Sequence, residues 1–294
     1  MESIRYFESL NSALHYLMQE DDTIFVIGED IEDPYGGAFK VTKGLSTKYP
    51  KRVLTTPISE AAIIGFASGL AIRGFKPILE IMFGDFITLC TDQIVNGLSK
   101  FHWMYGEKIG VPLVVRTPMG GYRGYGPTHS QSIESLFLSV PGIDIVSPTN
   151  YHDPGKMLIS TVMENSNPTL FIENKVLYSQ KLKKVDKDGK VDEWDFQVIE
   201  KFKKTLPTLS LKIDRQSLTD VTLITYGGVS NLAISAALET YLEEELNVEV
   251  LLVSSLKPLP LCDLLPSIEE SGKVVILEEG VKTSGWGAEL ACSI

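Results

Sequence analysis

The sequence predicts an α/β protein in which a parallel-sheet domain is followed by a smaller α/β domain. Short apolar runs alternate with helical patterns in the amino-terminal part, as is typical of a parallel sheet with helices on both faces. A poorly periodic stretch rich in Lys and Asp interrupts this alternation, which then resumes. We therefore predict a first domain over residues 1–180, a linker or hairpin-bearing connection over 181–219, and a second domain over 220–294.

The predicted elements follow from the apolar periodicity of each segment. In the first domain, strands are predicted at residues 23–27, 76–81, 112–116, 144–146 and 169–172. Helices are predicted between them at residues 7–20, 60–73, 88–101, 132–138 and 151–165. In the second domain, strands at 221–226, 249–253 and 273–278 surround a helix at 231–244, and a further helix opens near residue 287.

Composition excludes several classes of function. The formal charge of −11 argues against nucleic acid as a partner, because phosphate backbones are bound by clustered Lys and Arg. No apolar run is long enough to span a bilayer, so we expect a soluble protein and no membrane partner. The amino terminus resembles neither a signal peptide nor a transit peptide, which predicts a cytoplasmic location. The three cysteines are too widely spaced for a zinc knuckle or a redox pair.

Glu60 is the first candidate for chemistry. Ser59 is a suitable N-cap, and Glu60 falls in the first turn of the helix that follows. One interpretation is that Glu60 only complements the helix dipole at a solvated end. The other is that its apolar neighbours, among them Ile58, place the carboxyl group in a dry crevice where it holds a proton at neutral pH.

Two further segments place side chains at the ends of predicted strands, where ligands of parallel sheets gather. The strand at 76–81 ends at Met82, Phe83 and Phe86, which could hold an aromatic ring or simply fill the core. The strand at 112–116 leads into a glycine-rich loop that contains His129, which could act in proton transfer or be structural. The glycine spacing does not match a dinucleotide or Walker-type phosphate loop.

Seven strings, taken together, resemble the β subunits of 2-oxo acid dehydrogenases. They are GED (28–30), GAFKVTKGL (37–45), TPISEA (56–61), EIMFGDF (80–86), DQIVN (92–96), HSQ (129–131) and PG (141–142). The match runs in order over nearly the whole chain, whereas any one string alone would be weak.

The resemblance implies a pyrimidine-binding transketolase-like domain, a transketolase carboxyl-terminal-like domain, and thiamine diphosphate bound between subunits. By the family pattern, Glu60 hydrogen-bonds the aminopyrimidine ring, Phe86 stacks on it, and Met82 and Ile58 pack nearby. His129 corresponds to a histidine at the mouth of the site, where a lipoyl group receives the acyl group. A carboxylic acid facing the pyrimidine would favour the tautomer that removes the thiazolium proton.

The resemblance also implies partners and metals. The family's Gly-Asp-Gly motif for magnesium and diphosphate is absent from this sequence, so an α subunit is expected to hold both in a heterotetramer. A lipoyl-bearing acyltransferase would receive the product. Some members bind potassium, and the positions here that correspond to its ligands are Leu113, Thr161, Val162, Glu164 and Asn167.

The second domain looks shortened relative to the family, without its closing strand and last helix, which would leave an exposed sheet edge. Two rival functions therefore stay open. One is a two-chain transketolase-type ketol or acyl transferase in a specialised pathway, and the other is a non-catalytic scaffold for an α partner. The sequence does not identify the 2-oxo acid.

Overall fold

Residues 4–294, which the computed structural model describes, form two β-sheets flanked by helices. The strands are β1 (Ile24–Gly28), β2 (Val53–Thr55), β3 (Lys76–Glu80), β4 (Val114–Met119), β5 (Asp144–Val146), β6 (Thr169–Asn174), β7 (Lys190–Val191), β8 (Trp194–Ile199), β9 (Thr208–Lys212), β10 (Val221–Thr225), β11 (Val248–Leu252), β12 (Ser255–Lys257) and β13 (Val274–Leu277). The α-helices are α1 (Tyr6–Glu20), α2 (Leu45–Lys48), α3 (Glu60–Ile72), α4 (Phe101–Met104), α5 (Pro154–Glu164), α6 (Ser230–Glu244), α7 (Leu261–Ser271) and α8 (Trp286–Ser293).

The first sheet has the strand order β12-β5-β6-β4-β3-β1-β2 and is parallel except for β12. Neighbouring side chains point to opposite faces, because successive residues of a strand alternate. Ile78 and Val114 join a core with α1 and α5 on one face. Leu79 and Val115 join a second core on the other face, which α3 covers. Burial on both faces explains why these strands have continuous apolar sequences.

The second sheet has the order β13-β10-β11-β9-β8-β7, with β13, β10 and β11 parallel and the others antiparallel. Residues 181–219, for which we predict a linker or hairpin-bearing connection, carry the three strands β7, β8 and β9 of this sheet, paired antiparallel in order. Trp194, Leu209 and Leu211 are buried there against α6. The surrounding lysines and aspartates conceal this short apolar pattern in the sequence.

The two sheets share a core. Strand β12 leaves the second unit and pairs antiparallel with β5 of the first sheet. Tyr226 and Trp286 from the second unit join the core that contains α3, and the Trp286 indole nitrogen donates a hydrogen bond to the Leu256 carbonyl at 3.1 Å. The second unit is therefore fixed against the face of the first sheet on which Glu60 begins a helix.

Several predicted elements differ in the structure. The helix predicted at 88–101 is a 3₁₀ segment at Gly84–Cys90, a π-helix at Gln93–Leu98 and the short α4. The helix predicted at 132–138 is a single 3₁₀ turn at Glu134–Phe137.

Strand β13 lies at a sheet edge, where Val275 is exposed. Among residues 4–294, no helix has the length and apolarity needed to cross a bilayer.

Candidate active site

The candidate site lies at the carboxyl edge of the first sheet. Strands β1, β3, β4 and β6 are adjacent and parallel, so the residues after them meet at one edge. Those residues are Glu29 after β1, Met82 and Phe83 after β3, Gly120 after β4, and Lys175 after β6. The sheet therefore brings together the ends of β3 and β4, which the sequence indicates as ligand positions. It adds two charged residues, Glu29 and Lys175, that the sequence does not indicate.

Glu60 is the first residue of α3 and is only 5% exposed. Ser59 occupies the N-cap position, but its side chain makes no capping hydrogen bond. Among residues 4–294, no group donates a hydrogen bond to the Glu60 carboxylate; Ile58, two residues earlier, is 84% exposed. A buried acid without a partner thus lies beside an exposed apolar side chain. The Glu60 side chain is therefore largely buried, while its carboxylate oxygens stay accessible to water or to a bound molecule.

Glu29 is an acidic residue whose pKa responds to Glu60. It is buried, and its Oε1 atom has no hydrogen-bond partner within residues 4–294. Burial and the nearby charge of Glu60 raise the pKa of Glu29. Burial and the same charge also raise the pKa of the Cys90 thiol to about 12. The Glu29 carboxyl group therefore holds its proton more readily than an exposed glutamate does.

An aromatic cluster follows β3. The Phe83 ring contacts Phe86 edge-on at a centroid distance of 5.8 Å and Tyr125 at 5.7 Å. The His129 imidazole lies 4.7 Å from the Phe83 ring and 5.2 Å from the Phe86 ring. The structure therefore brings the glycine-rich loop onto the end of β3. Met82 and Phe86 are both half-buried, so their side chains keep a surface that a planar ring could cover.

One segment connects this aromatic cluster with Glu60. The 3₁₀ segment Gly84–Cys90 begins next to Phe83 and ends at Cys90. The charge of Glu60 helps to raise the pKa of the Cys90 thiol. The same segment packs against α3, at whose first residue Glu60 stands. The acid and the aromatic rings accordingly belong to elements that pack against each other.

The positions that correspond to potassium ligands take part in hydrogen bonds of the fold. The Leu113 carbonyl accepts a hydrogen bond from the Thr169 amide at 2.8 Å, and the Thr161 carbonyl accepts one from Asn165 at 3.3 Å. Val162 is buried on α5 and Glu164 is exposed at its end.

The Asn167 side chain is directed to Asp144 instead, with its Nδ2 atom 3.4 Å from Oδ1. Asn165 also donates to Asp144, at 2.8 Å from Oδ2. Asp144 therefore accepts hydrogen bonds from both asparagine side chains.

The sequence matches known protein families over most of its length. Residues 2–181 match the family described as "Transketolase, pyrimidine binding domain", and residues 210–294 match "Transketolase, C-terminal domain". The chain is 34% identical to the pyruvate dehydrogenase E1 component subunit beta-1 of Arabidopsis thaliana, over 98% of this chain and 75% of that protein. It is 36% identical to the acetoin:2,6-dichlorophenolindophenol oxidoreductase subunit beta of Bacillus subtilis, over 98% of this chain and 82% of that protein. The chain belongs to the family of 2-oxo acid dehydrogenase β subunits.

A solved structure supports the fold of this β subunit. A split-gene transketolase, an inactive beta4 tetramer, is similar with a TM-score of 0.71 over 99% of this chain and 84% of that one, at 21% identity. The family is dependent on thiamine diphosphate. The residues of this β subunit fit one end of that cofactor: the unpartnered Glu60 carboxyl group and the half-buried Phe86 and Met82 suit a flat ring that carries hydrogen-bonding nitrogen atoms.

Three charged residues of the β subunit's site escape the sequence-based reasoning. Glu29 lies in the GED string, just after the strand predicted at 23–27. Its position at a strand end is the feature that could have indicated a role in the site. Lys175 is buried after β6, and burial lowers its pKa to about 8. Glu279 comes from the second unit, and its carboxylate accepts a hydrogen bond from the Gly121 amide at 2.5 Å. The last contact joins residues that are far apart in sequence, which no local pattern reveals.

Proposed function

We propose that this 2-oxo acid dehydrogenase β subunit holds the pyrimidine ring of thiamine diphosphate against Glu60, opposite an α partner. The observation that supports this is the buried Glu60 carboxyl group, which has no hydrogen-bond partner within residues 4–294 and lies beside the exposed Ile58. A ring nitrogen would supply the missing partner. When bound, the cofactor supplies the nucleophilic carbon and the electron sink for decarboxylation.

The contribution of the β subunit is control of a proton in a dry crevice. Glu60 would donate a hydrogen bond from its carboxyl group to the pyrimidine nitrogen. Glu29 is an electrostatic neighbour of this carboxyl group, since burial and the charge of Glu60 raise the pKa of Glu29. Phe86 would stack on the ring, with Met82 and Ile58 as apolar neighbours that exclude water.

His129 would act at the mouth of the site. Its ring rests on Phe83 and Phe86, and its Nδ1 atom lies 3.0 Å from the Thr128 hydroxyl group. The imidazole can thus accept or donate a proton at its other nitrogen while an acyl group moves to an acceptor. The proposed acceptor is the lipoyl group of an acyltransferase.

An α partner is needed because the β subunit supplies only part of a cofactor site. The sequence contains no Gly-Asp-Gly string, so we assign magnesium and the diphosphate to the partner. Three large apolar side chains are exposed on this part of the β subunit. Ile58 lies just before α3, Phe66 lies on α3, and Leu89 lies on the Gly84–Cys90 segment. Exposed apolar surface of this kind is typical of a subunit interface. A heterotetramer with two copies of each chain is the assembly we propose.

Acetoin is a second candidate substrate beside a 2-oxo acid such as pyruvate. It is a candidate because the chain is 34–36% identical to acetoin oxidoreductase β subunits and 33–35% identical to pyruvate dehydrogenase β subunits. Both substrates use the same activated cofactor. Comparison of pyruvate and acetoin as substrates of one preparation distinguishes them.

The test uses the chain co-expressed with an α subunit that carries the Gly-Asp-Gly motif. Reduction of dichlorophenolindophenol is measured with magnesium, thiamine diphosphate and either substrate. We expect Glu60→Gln to lower turnover by about 100-fold or more while the complex still assembles. The control Glu20→Gln changes an exposed glutamate at the end of α1 and should leave turnover unaltered. Unchanged turnover in Glu60→Gln would instead identify the chain as a scaffold.

A further inference from the structure

The loop that carries His129 is built from flexible backbone. Residues 120–131 follow β4, and Gly120, Gly124 and Gly126 all have positive φ angles. The loop is closed at its base, where the Gly120 amide donates a hydrogen bond to the Gln131 carbonyl at 3.1 Å. Such a glycine-rich chain loses much conformational entropy when it is held in one arrangement. Contacts at its base must therefore fix the position of His129.

The first contact is made by Asp85, in the segment after β3. Its Oδ1 atom accepts a hydrogen bond from the Gln131 side-chain amide at 2.7 Å, and the Gln131 backbone amide lies 3.4 Å away. Asp85 is buried, and its Oδ2 atom has no hydrogen-bond partner within residues 4–294. This carboxylate ties the end of the loop to the segment that contains Phe86.

The second contact is made by Glu279, which belongs to the second unit. Its Oε1 atom accepts a hydrogen bond from the Gly121 amide at 2.5 Å, and its Oε2 atom accepts one from the Asn174 side chain at 2.9 Å. The fit is close, because a Cβ atom on Gly120 would lie 2.8 Å from Glu279 Oε2. This carboxylate ties the start of the loop to the second unit.

Lys175 is the cation that the two contacts share. It is fully buried after β6, donates a hydrogen bond to the Pro118 carbonyl at 3.3 Å, and lies 5.6 Å from the centre of the Phe83 ring. Burial lowers the pKa of Lys175 to about 8, and the charges of Asp85 and Glu279 oppose that shift. The ammonium group thus interacts electrostatically with the buried Asp85 and with the half-buried Glu279.

We propose that Lys175 and Glu279 are positioning residues that hold the base of the 120–131 loop, so that His129 stays on the Phe83 and Phe86 rings. The effect on catalysis rests on the proposed function of His129 in acyl transfer. The second unit then has a defined part in the site. Its Glu279 sets where the imidazole stands, although no atom of Glu279 needs to touch the substrate.

The first test measures how often the loop opens. It uses the full chain and needs no activity assay. Trypsin can cleave after Arg123, which is exposed within the loop. We expect Lys175→Met and Glu279→Ala to raise the rate of this cleavage about tenfold, since a loosened loop opens more often. Lys175→Arg should keep the wild-type rate, because it keeps the charge. Unchanged cleavage in the first two variants, with circular dichroism showing a folded protein, would overturn the proposal.

The matched control is Glu278→Gln. Glu278 is the adjacent carboxylate with similar burial, but its Oε1 atom lies near Gly285 and Gly287, at the start of α8, and not at the loop. Its substitution should leave the cleavage rate after Arg123 unchanged. An equal rise in Glu278→Gln would overturn the proposal, since any loss of acidic charge in this region would then suffice.

The second test uses the complex with the α subunit and compares two acceptors for pyruvate. Transfer to lipoamide should fall about tenfold in Lys175→Met and Glu279→Ala, because a small misplacement of a reacting group is costly. Reduction of dichlorophenolindophenol, which does not need acyl transfer, should change less than about twofold. Equal losses with both acceptors would contradict a role through His129. If the wild-type complex turned over neither acceptor, the proposed function would fail, while the cleavage test would still decide the anchoring of the loop.

Discussion

Arg116 lies in the middle of the first sheet between two buried carboxylates. Its Nη1 atom is 3.0 Å from Glu80, and its Nε and Nη2 atoms are 2.7 and 2.9 Å from the two oxygens of Glu173. These residues stand on the neighbouring strands β3, β4 and β6 and are almost completely inaccessible to water. The substitution Arg116→Met keeps most of the volume and removes the charge.

The expected loss follows from the carboxylates that remain. Removal of one partner from a buried ion pair typically costs about 3–5 kcal/mol, because the other charge stays desolvated. Glu80 also accepts a hydrogen bond from the Ala38 amide at 2.6 Å, and Glu173 accepts one from the Tyr178 hydroxyl at 2.5 Å. These contacts offset part of the loss. We therefore expect the free energy of unfolding to fall by about 3 kcal/mol at pH 7.5.

The pH dependence of this loss provides a second criterion. Burial already raises the pKa of Glu80, although Arg116 lowers it, so the variant should raise that pKa further. A carboxyl group whose pKa is higher in the folded state stabilises the fold fully below its unfolded pKa. That contribution is lost as the pH rises through the folded pKa. The deficit of Arg116→Met should therefore shrink between pH 7.5 and pH 5.

Urea unfolding followed by circular dichroism measures both quantities. Arg73→Met is the matched control, because Arg73 is exposed at the end of α3. Its free energy of unfolding should stay within about 0.5 kcal/mol of the wild type. A deficit below about 1 kcal/mol in Arg116→Met, or one that does not change with pH, would refute this account of the network.

Two further perturbations follow from the structure. Burial lowers the pKa of His152 from 6.5 to about 4. The neutral imidazole therefore stabilises the fold by about 3 kcal/mol above pH 6.5, and this stabilisation is lost as the pH falls towards 4. His152→Gln should flatten the fall in melting temperature between pH 7 and pH 5, and an unchanged slope would disprove the assignment. Gly37→Ala should lower the free energy of unfolding by about 1–3 kcal/mol, because φ is +71° and a Cβ atom would lie 2.5 Å from Glu80 Oε1. Gly74→Ala, with φ of +91° and nothing within 4 Å, measures the backbone strain alone, so equal losses at both positions would contradict the clash.

Buried parallel strands are the part of the fold that the sequence predicts best. The strand predicted at 144–146 coincides with β5, and the helix predicted at 60–73 ends within one residue of α3. Strands β2 and β12 escape because three residues are too few to show a period. Helix α7 escapes because Pro266 lies inside it, and proline usually ends a helix.

The candidate site divides in the same way. Local patterns place Glu60 at a helix start and place Phe86 and His129 in segments that follow strands, and the family resemblance then implies their roles. Lys175 and Glu279 are not, because their importance depends on contacts across the sheet and between the two units. Sequence patterns report the local conformation of a residue, whereas such contacts depend on the assembled fold.

Exchange of the thiazolium C2 proton of thiamine diphosphate tests the role of Glu60 most directly. The complex with the α subunit is mixed with deuterium oxide, stopped with acid and analysed by proton NMR. We expect the wild-type complex to exchange this proton faster than Glu60→Gln by about 100-fold to 10,000-fold, because the amide cannot pass a proton to the pyrimidine. Equal exchange rates in the two complexes, with the cofactor bound in both, would contradict the account.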